Sequence, residues 1–263
     1  MVNKRQTKIP LTIPTCSANF LKLAGTFLLT FYLFGQSIIQ NGLLNSYFMT
    51  TQQLNDLLGE NYDAFMATGT ASVCLLIGSV GIPMIAFLLV EGINKTSSVK
   101  RYIFLVFGAA VITEIPYDYA VSGTFFNFGE QSFLWTILIS LIMLALMKVF
   151  QGKSALAVVI NIMILAGGCI WAIFFKSKFG AAFVLITAIL FLLREHKGLS
   201  ILLGVLVSLI YITAPLGFAA VGLYNGERKN LKYKSSKYGY YIYCPVITLI
   251  FAIIANLLLS PIA

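Results

Sequence analysis

Two stretches of the chain, MATGTASVCLLIGSVGIPMIAFLLV (66–90) and SILLGVLVSLIYITAPLGFAA (200–220), contain no charged side chain. At a rise of ~1.5 Å per residue, a helix of ~20 such residues crosses a hydrocarbon core of roughly 30 Å. A segment in that environment must satisfy its backbone polar groups internally, which leaves a helix or a closed barrel. The short alternating segments of a barrel are missing, so helices are expected. With 59% hydrophobic and only 10% charged residues, a water-soluble fold is excluded.

Apolar runs read against turn and charge signals place spans at about 20–40, 66–90, 102–121, 132–150, 155–175, 179–193, 199–222 and 240–260. The expected fold is therefore all-α, a polytopic bundle of about eight spans (seven to nine) in a single membrane domain covering 1–263. The segment 1–19 is basic and polar with no apolar stretch before Cys16, so the first helix is expected to be a retained signal anchor.

The net charge of +9 raises the question of a nucleic-acid partner. Its cations lie instead in short loops between apolar runs, where the positive-inside rule expects them, so no nucleic-acid partner is expected and the partner is the lipid bilayer. Lys4, Arg5 and Lys8, then Lys95, Lys100 and Arg101, then Lys148 and Lys153 mark cytoplasmic loops, and the N-terminus is cytoplasmic. The intervening segments, with Asp56, Glu60 and Asp63, then Asp118 and Glu130, face outward. Eight full crossings would put Arg228, Lys229, Lys232, Lys234 and Lys237 outside, against that rule. A helix broken at Pro215 and re-entrant over 199–224 would return the chain to the cytoplasm. The tyrosines at 233, 238, 240, 241 and 243 then form an interfacial belt.

Chemistry inside a bilayer is carried by ionisable groups, and the span centres hold none. His196 is a loop residue, and Cys16, Cys74, Cys169 and Cys244 form no ligand pattern, so no metal is expected. Polar residues gather at span ends: Glu91 in VEG, Glu114 and Asp118 in TEIPYD, Asn127 in FFNFG, and Tyr224 and Asn225 in LYNGE. Each has a capping or interfacial reading. Glu114 and Asp118, four apart on one helix face, are also the candidate catalytic carboxylates. Gln36, Gln40 and Asn161 are the candidates for a polar cavity.

In this order the motifs resemble the TraX family of bacterial membrane proteins, related to transmembrane acyltransferases. GIPMIAFLLVEGI (81–93), KRYIFLVFGAAVITEIPYDYAVSG (100–123), LYNGERK (223–229) and YGYYIYCPVITLI (238–250) carry the resemblance. It implies a bacterial cytoplasmic membrane location and, for an active member, acetyl transfer from coenzyme A. The family's Asp-His pair aligns with Tyr32 and Leu33, its two arginines with Ser79 and Leu105, and its last histidine with Ile247. Acyl transfer needs a base and donors for the oxyanion and cofactor phosphates, and leucine and isoleucine provide neither. No cofactor is therefore expected unless the chain is an enzyme, in which case acetyl-coenzyme A is. Three readings stand: a non-catalytic relative binding a peptide, lipid or membrane partner; an acyltransferase using Glu114 or Asp118; and a transporter or flippase component.

Overall fold

The computed structural model describes residues 15–152, 154–226 and 239–258. The cytoplasmic cations expected at 4–8 and 228–237 lie outside them.

The elements are helices throughout: α1 (Ala18–Phe34), a π-helical continuation (Gly35–Leu43), α2 (Thr51–Glu60), α3 (Tyr62–Ser79), α4 (Gly81–Lys95), α5 (Val99–Ser122), α6 (Phe133–Val149), α7 (Ala155–Phe174), α8 (Gly180–Leu192), α9 (Lys197–Ser208), α10 (Gly217–Gly222) and α11 (Gly239–Leu258). Among the described residues five runs are long and apolar enough to cross a membrane: Ala18–Leu43, Tyr62–Lys95, Val99–Ser122, Ala155–Phe174 and Gly239–Leu258. Three apolar helices are shorter, Phe133–Val149, Gly180–Leu192 and Lys197–Tyr211. The outward side chains of α7, Leu156, Val159, Ile162, Met163 and Phe174 among them, are more than half exposed. In water so large an apolar face would aggregate; against acyl chains it is at home.

The span expected at 66–90 is part of a 34-residue run in which α3 and α4 join at Val80. It packs antiparallel against α1 and the π segment, and the axes approach closely because the contact residues are small. A Cβ on Gly78 would lie 2.5–2.7 Å from Tyr32, and one on Gly81 would lie 2.8 Å from the Gly25 carbonyl. The π segment, with Leu44 N–H donating to the Ile39 carbonyl, widens the turn and buries Gln36, Ser37 and Asn41.

Most cations of the described residues collect at one end of the bundle, Lys176 and Lys178 excepted. There the Lys148 ammonium donates to the Ile93 carbonyl at 2.9 Å, and Cys16 pairs through its backbone with Leu223 and Asn225. Lys95, Lys100, Arg101, Arg194 and Lys197 sit at the adjoining helix ends. Asp56, Glu60 and Asp63 lie in α2 and the start of α3, at the other end.

The run at 199–222 is two pieces. A 12-residue α9 reaches only ~18 Å. The chain then turns through two 3-10 segments with Ile212 at φ 60, and α10 comes back along α9. A Cβ on Gly204 would meet the Phe218 ring and one on Gly222 would meet Ile201, so both ends of the pair lie at the basic end. The tip is buried in protein: Ser79 donates to Thr213 at 2.6 Å, Thr213 donates to the Leu76 carbonyl, and the Ser79 hydroxyl lies 3.2 Å from the Tyr211 carbonyl. Irregular backbone survives in a membrane where protein satisfies its polar groups.

Candidate functional site

Two connections at the acidic end fold inward rather than out. Gln131 N–H donates to the Lys176 carbonyl at 3.1 Å, and Lys178 N–H donates to the Gln131 carbonyl at 3.0 Å, which locks the α5–α6 connection to the α7–α8 turn. Lys176 and Phe179 hold left-handed conformations (φ 48 and 62), each at a cost of ~1–3 kcal/mol that the surroundings must offset. The Phe179 ring does so by meeting Tyr32, Phe133 and Tyr211 edge-on at 4.9–5.5 Å, and its carbonyl accepts from the Tyr211 hydroxyl. The effect of this turn is to point Lys178 into the bundle.

The Lys178 ammonium lies 2.9 and 2.8 Å from the two Glu130 carboxylate oxygens. Gln36 and Tyr117 donate to the same carboxylate at 2.8 and 2.6 Å. Burial alone would raise the Glu130 pKa, but the Lys178 charge and the three donors outweigh it and hold the carboxyl below its ordinary value. The span centres lack charge in the sequence, yet an ion pair stands inside the bundle because loops supply it. Glu130, expected in an outward-facing loop, is thus held by partners inside the bundle, and Lys178 and Tyr117 had no signal beyond a cation and a phenol in apolar surroundings.

A cavity of about 730 Å³ runs from the basic end to this pair. Asn19, Lys22, Lys95 and Arg101 line its basic end, and Gln36, Tyr117, Ser132 and Lys178 its floor. Leu29, Leu33, Ile85, Leu89, Leu105 and Ile247 form the walls. Among the described residues every charged side chain in the lining is a cation, so the interior attracts anions. Of the polar candidates Gln36 reaches the floor. Asn161 instead donates to the Phe150 carbonyl, and Gln40, outside the lining, accepts from Ser46 through its backbone.

The residues singled out at span ends do not converge on this floor. Glu114 lies at the N-terminus of α6, where it accepts from Ser132 N–H at 3.3 Å and Trp135 Nε1 at 2.8 Å, complementing the positive end of that helix. Asp118 is buried on the same face and accepts from Asn127 N–H at 2.9 Å. Asn127 in turn accepts from Gly129 N–H, which closes the FFNFG turn. Glu91 pairs with Lys95 at 2.6 Å and accepts from the Tyr224 hydroxyl, tying the end of α4 to the turn after α10. Asn225 reaches Thr15 and the Cys16 carbonyl. Each of these groups fastens one element to another.

The positions where the resemblance expects catalytic groups do converge. Tyr32, Leu33, Leu105 and Ile247 all line the cavity; Ser79 does not, being bonded to the turn between α9 and α10. Among the described residues no group of three or more His, Cys, Asp or Glu could hold a metal ion.

Neither the curated proteins nor the solved structures yield a match to this chain. The family profile described as TraX protein matches residues 44–255. That stretch includes Leu105 and Ile247 and begins after Tyr32 and Leu33. It runs from the end of the π segment into α11, most of the chain, and the chain belongs to the TraX family.

Proposed function

We propose that this chain is a non-catalytic TraX-type binding protein of the bacterial cytoplasmic membrane, taking a ligand into its cavity from the cytoplasmic side. One observation carries the reading: the cavity is present, but the wall positions that would supply a base and phosphate donors are Leu33, Leu105 and Ile247. The two candidate catalytic carboxylates are engaged elsewhere, Glu114 on the α6 terminus and Asp118 on Asn127. In this reading the basic end faces the cytoplasm, the longer and shorter runs cross seven times, and α9–α10 forms a re-entrant pair. The N-terminus and the segment 228–237 then share the cytoplasmic side.

A second reading, acyl transfer, draws support from Arg101. It lies one turn before Leu105 on α5 and lines the cavity, where a guanidinium can hold a phosphate. Calorimetry of the purified protein with acetyl-coenzyme A separates the two. No binding in the micromolar range is expected; micromolar binding, with protein-dependent transfer of labelled acetyl groups in native membranes, would replace the first reading by the second.

A further inference from the structure

The cavity wall changes character along its length between α1 and α11. In the acidic-end half these helices are in close contact through the π segment: a Cβ on Gly42 would lie 3.0 Å from Ala255 Cα, and the Phe34 and Phe251 rings meet at 6.0 Å. In the basic-end half they are bridged by long side chains. Thr30 and Tyr243 share a 2.9 Å hydrogen bond, the Lys22 ammonium sits 4.5 Å over the Tyr240 ring, and the Tyr240 hydroxyl donates to the Lys22 carbonyl. Lys22, Thr30, Tyr240 and Tyr243 all line the cavity. On the outer surface of the same two helices Leu23, Phe27 and Ile242 are more than 60% exposed, which in a membrane is the lipid-facing side. Side-chain bridges can swing aside without moving a helix; backbone contact cannot. The cavity is therefore flanked by a parting that leads into the leaflet on the basic side.

The lining states what chemistry would pass through it. Lys22 and Arg101 add positive charge at the basic end, no carboxylate is among the described lining residues, and tyrosines surround them. Further in, Leu33, Leu105 and Ile247 present hydrocarbon. Lys178, at the far end, holds the Glu130 carboxylate. A volume of about 730 Å³ is typical of a small-molecule site but too small for a whole diacyl lipid. A headgroup and part of one chain fit, with the rest left in the bilayer through the parting.

We infer that the cavity is a binding site for a net-anionic phospholipid of the basic-side leaflet, its phosphate on Lys22 and Arg101 and an acyl chain among Leu33, Leu105 and Ile247. This rests on the reading of the cavity as a binding site, and names its ligand class. The phosphate makes charge-assisted hydrogen bonds with both cations, and the chain enters laterally between α1 and α11.

The test uses the full-length protein in a non-ionic detergent, titrated with short-chain phosphatidylglycerol, short-chain phosphatidylcholine or inorganic pyrophosphate, with bound adducts counted by native mass spectrometry. One phosphatidylglycerol per chain is expected, held at least about tenfold more tightly than phosphatidylcholine. Pyrophosphate should neither bind nor displace it. K22Q and R101Q should each weaken the lipid about tenfold, while K22R and R101K, which keep the charge and control for folding, retain it. Equal binding of the two lipids would overturn the inference, as would unaltered binding in the neutral variants. Displacement by pyrophosphate would replace the lipid by a soluble phosphate compound. The acetyl-coenzyme A experiment reads the non-catalytic assignment separately: donor binding there sinks that assignment whatever the lipid count.

Discussion

Replacing Glu130 by Gln removes the countercharge of Lys178 while keeping the shape of the side chain. Four donor contacts converge on that carboxylate at 2.6–2.9 Å, and the Lys178 and Glu130 side chains are 15% and 32% exposed. Breaking a fully buried pair costs ~3–5 kcal/mol because one charge is stranded. Partial exposure of Glu130 admits some screening, so ~2–3 kcal/mol is expected here. For a chain of this size that corresponds to a melting temperature lower by roughly 4–12 °C. Thermal unfolding of purified E130Q, K178Q and E130Q/K178Q in one detergent closes a double-mutant cycle. The double variant should lose less than the sum of the single losses, since neither charge is then left alone. The sign with pH is set by the lowered Glu130 pKa. Its stabilisation is complete above the ordinary carboxyl value of 4.5 and disappears as pH falls from there through the folded value, so wild type and E130Q converge in acid. An E130Q melting temperature within ~1 °C of wild type, or strictly additive losses, would refute the interior ion pair.

Three further outcomes are expected. E114Q should lower stability by ~1–2 kcal/mol, less than the ~3–5 kcal/mol of a stranded cation, because the partners are Ser132 N–H and Trp135 Nε1 and the amide keeps one acceptor; full stability with loss of a cellular phenotype would make Glu114 a functional carboxylate. G217A should destabilise by ~1–3 kcal/mol, because its Cβ would lie 2.1 Å from the Val80 carbonyl, while G222A, nearest atom 3.6 Å, serves as the neutral control; equal stability of the two would mean that the re-entrant pair is not docked on the α3–α4 junction. Single cysteines placed at 228–237 in a variant lacking the four native thiols should react with a membrane-permeant maleimide and resist an impermeant one in intact cells, and labelling by the impermeant reagent would reverse the orientation of the basic end.

The membrane-helix character of the chain and its family were legible in the sequence, because charge-free runs and the order of helix-end motifs are local properties. So was the break within 199–224, which Pro215 marks inside an otherwise apolar run. The site was not legible in the same way. Glu114 and Asp118 share a helix face by spacing, but their partners, the amides of Ser132 and Asn127, come from a connection that spacing does not place. Lys178 and Glu130 lie 48 residues apart in two connections that read as surface loops. Only the inward fold of those connections, held by the Gln131 backbone pair and the left-handed Phe179, puts them in contact. The same holds for the cavity, whose lining is drawn from α1, α4, α5, α6 and α11. Hydropathy, a sum over neighbours in sequence, decides that a segment enters the bilayer. Which ionisable groups meet there is decided by packing between segments distant in the chain, and that is a property of the tertiary structure alone.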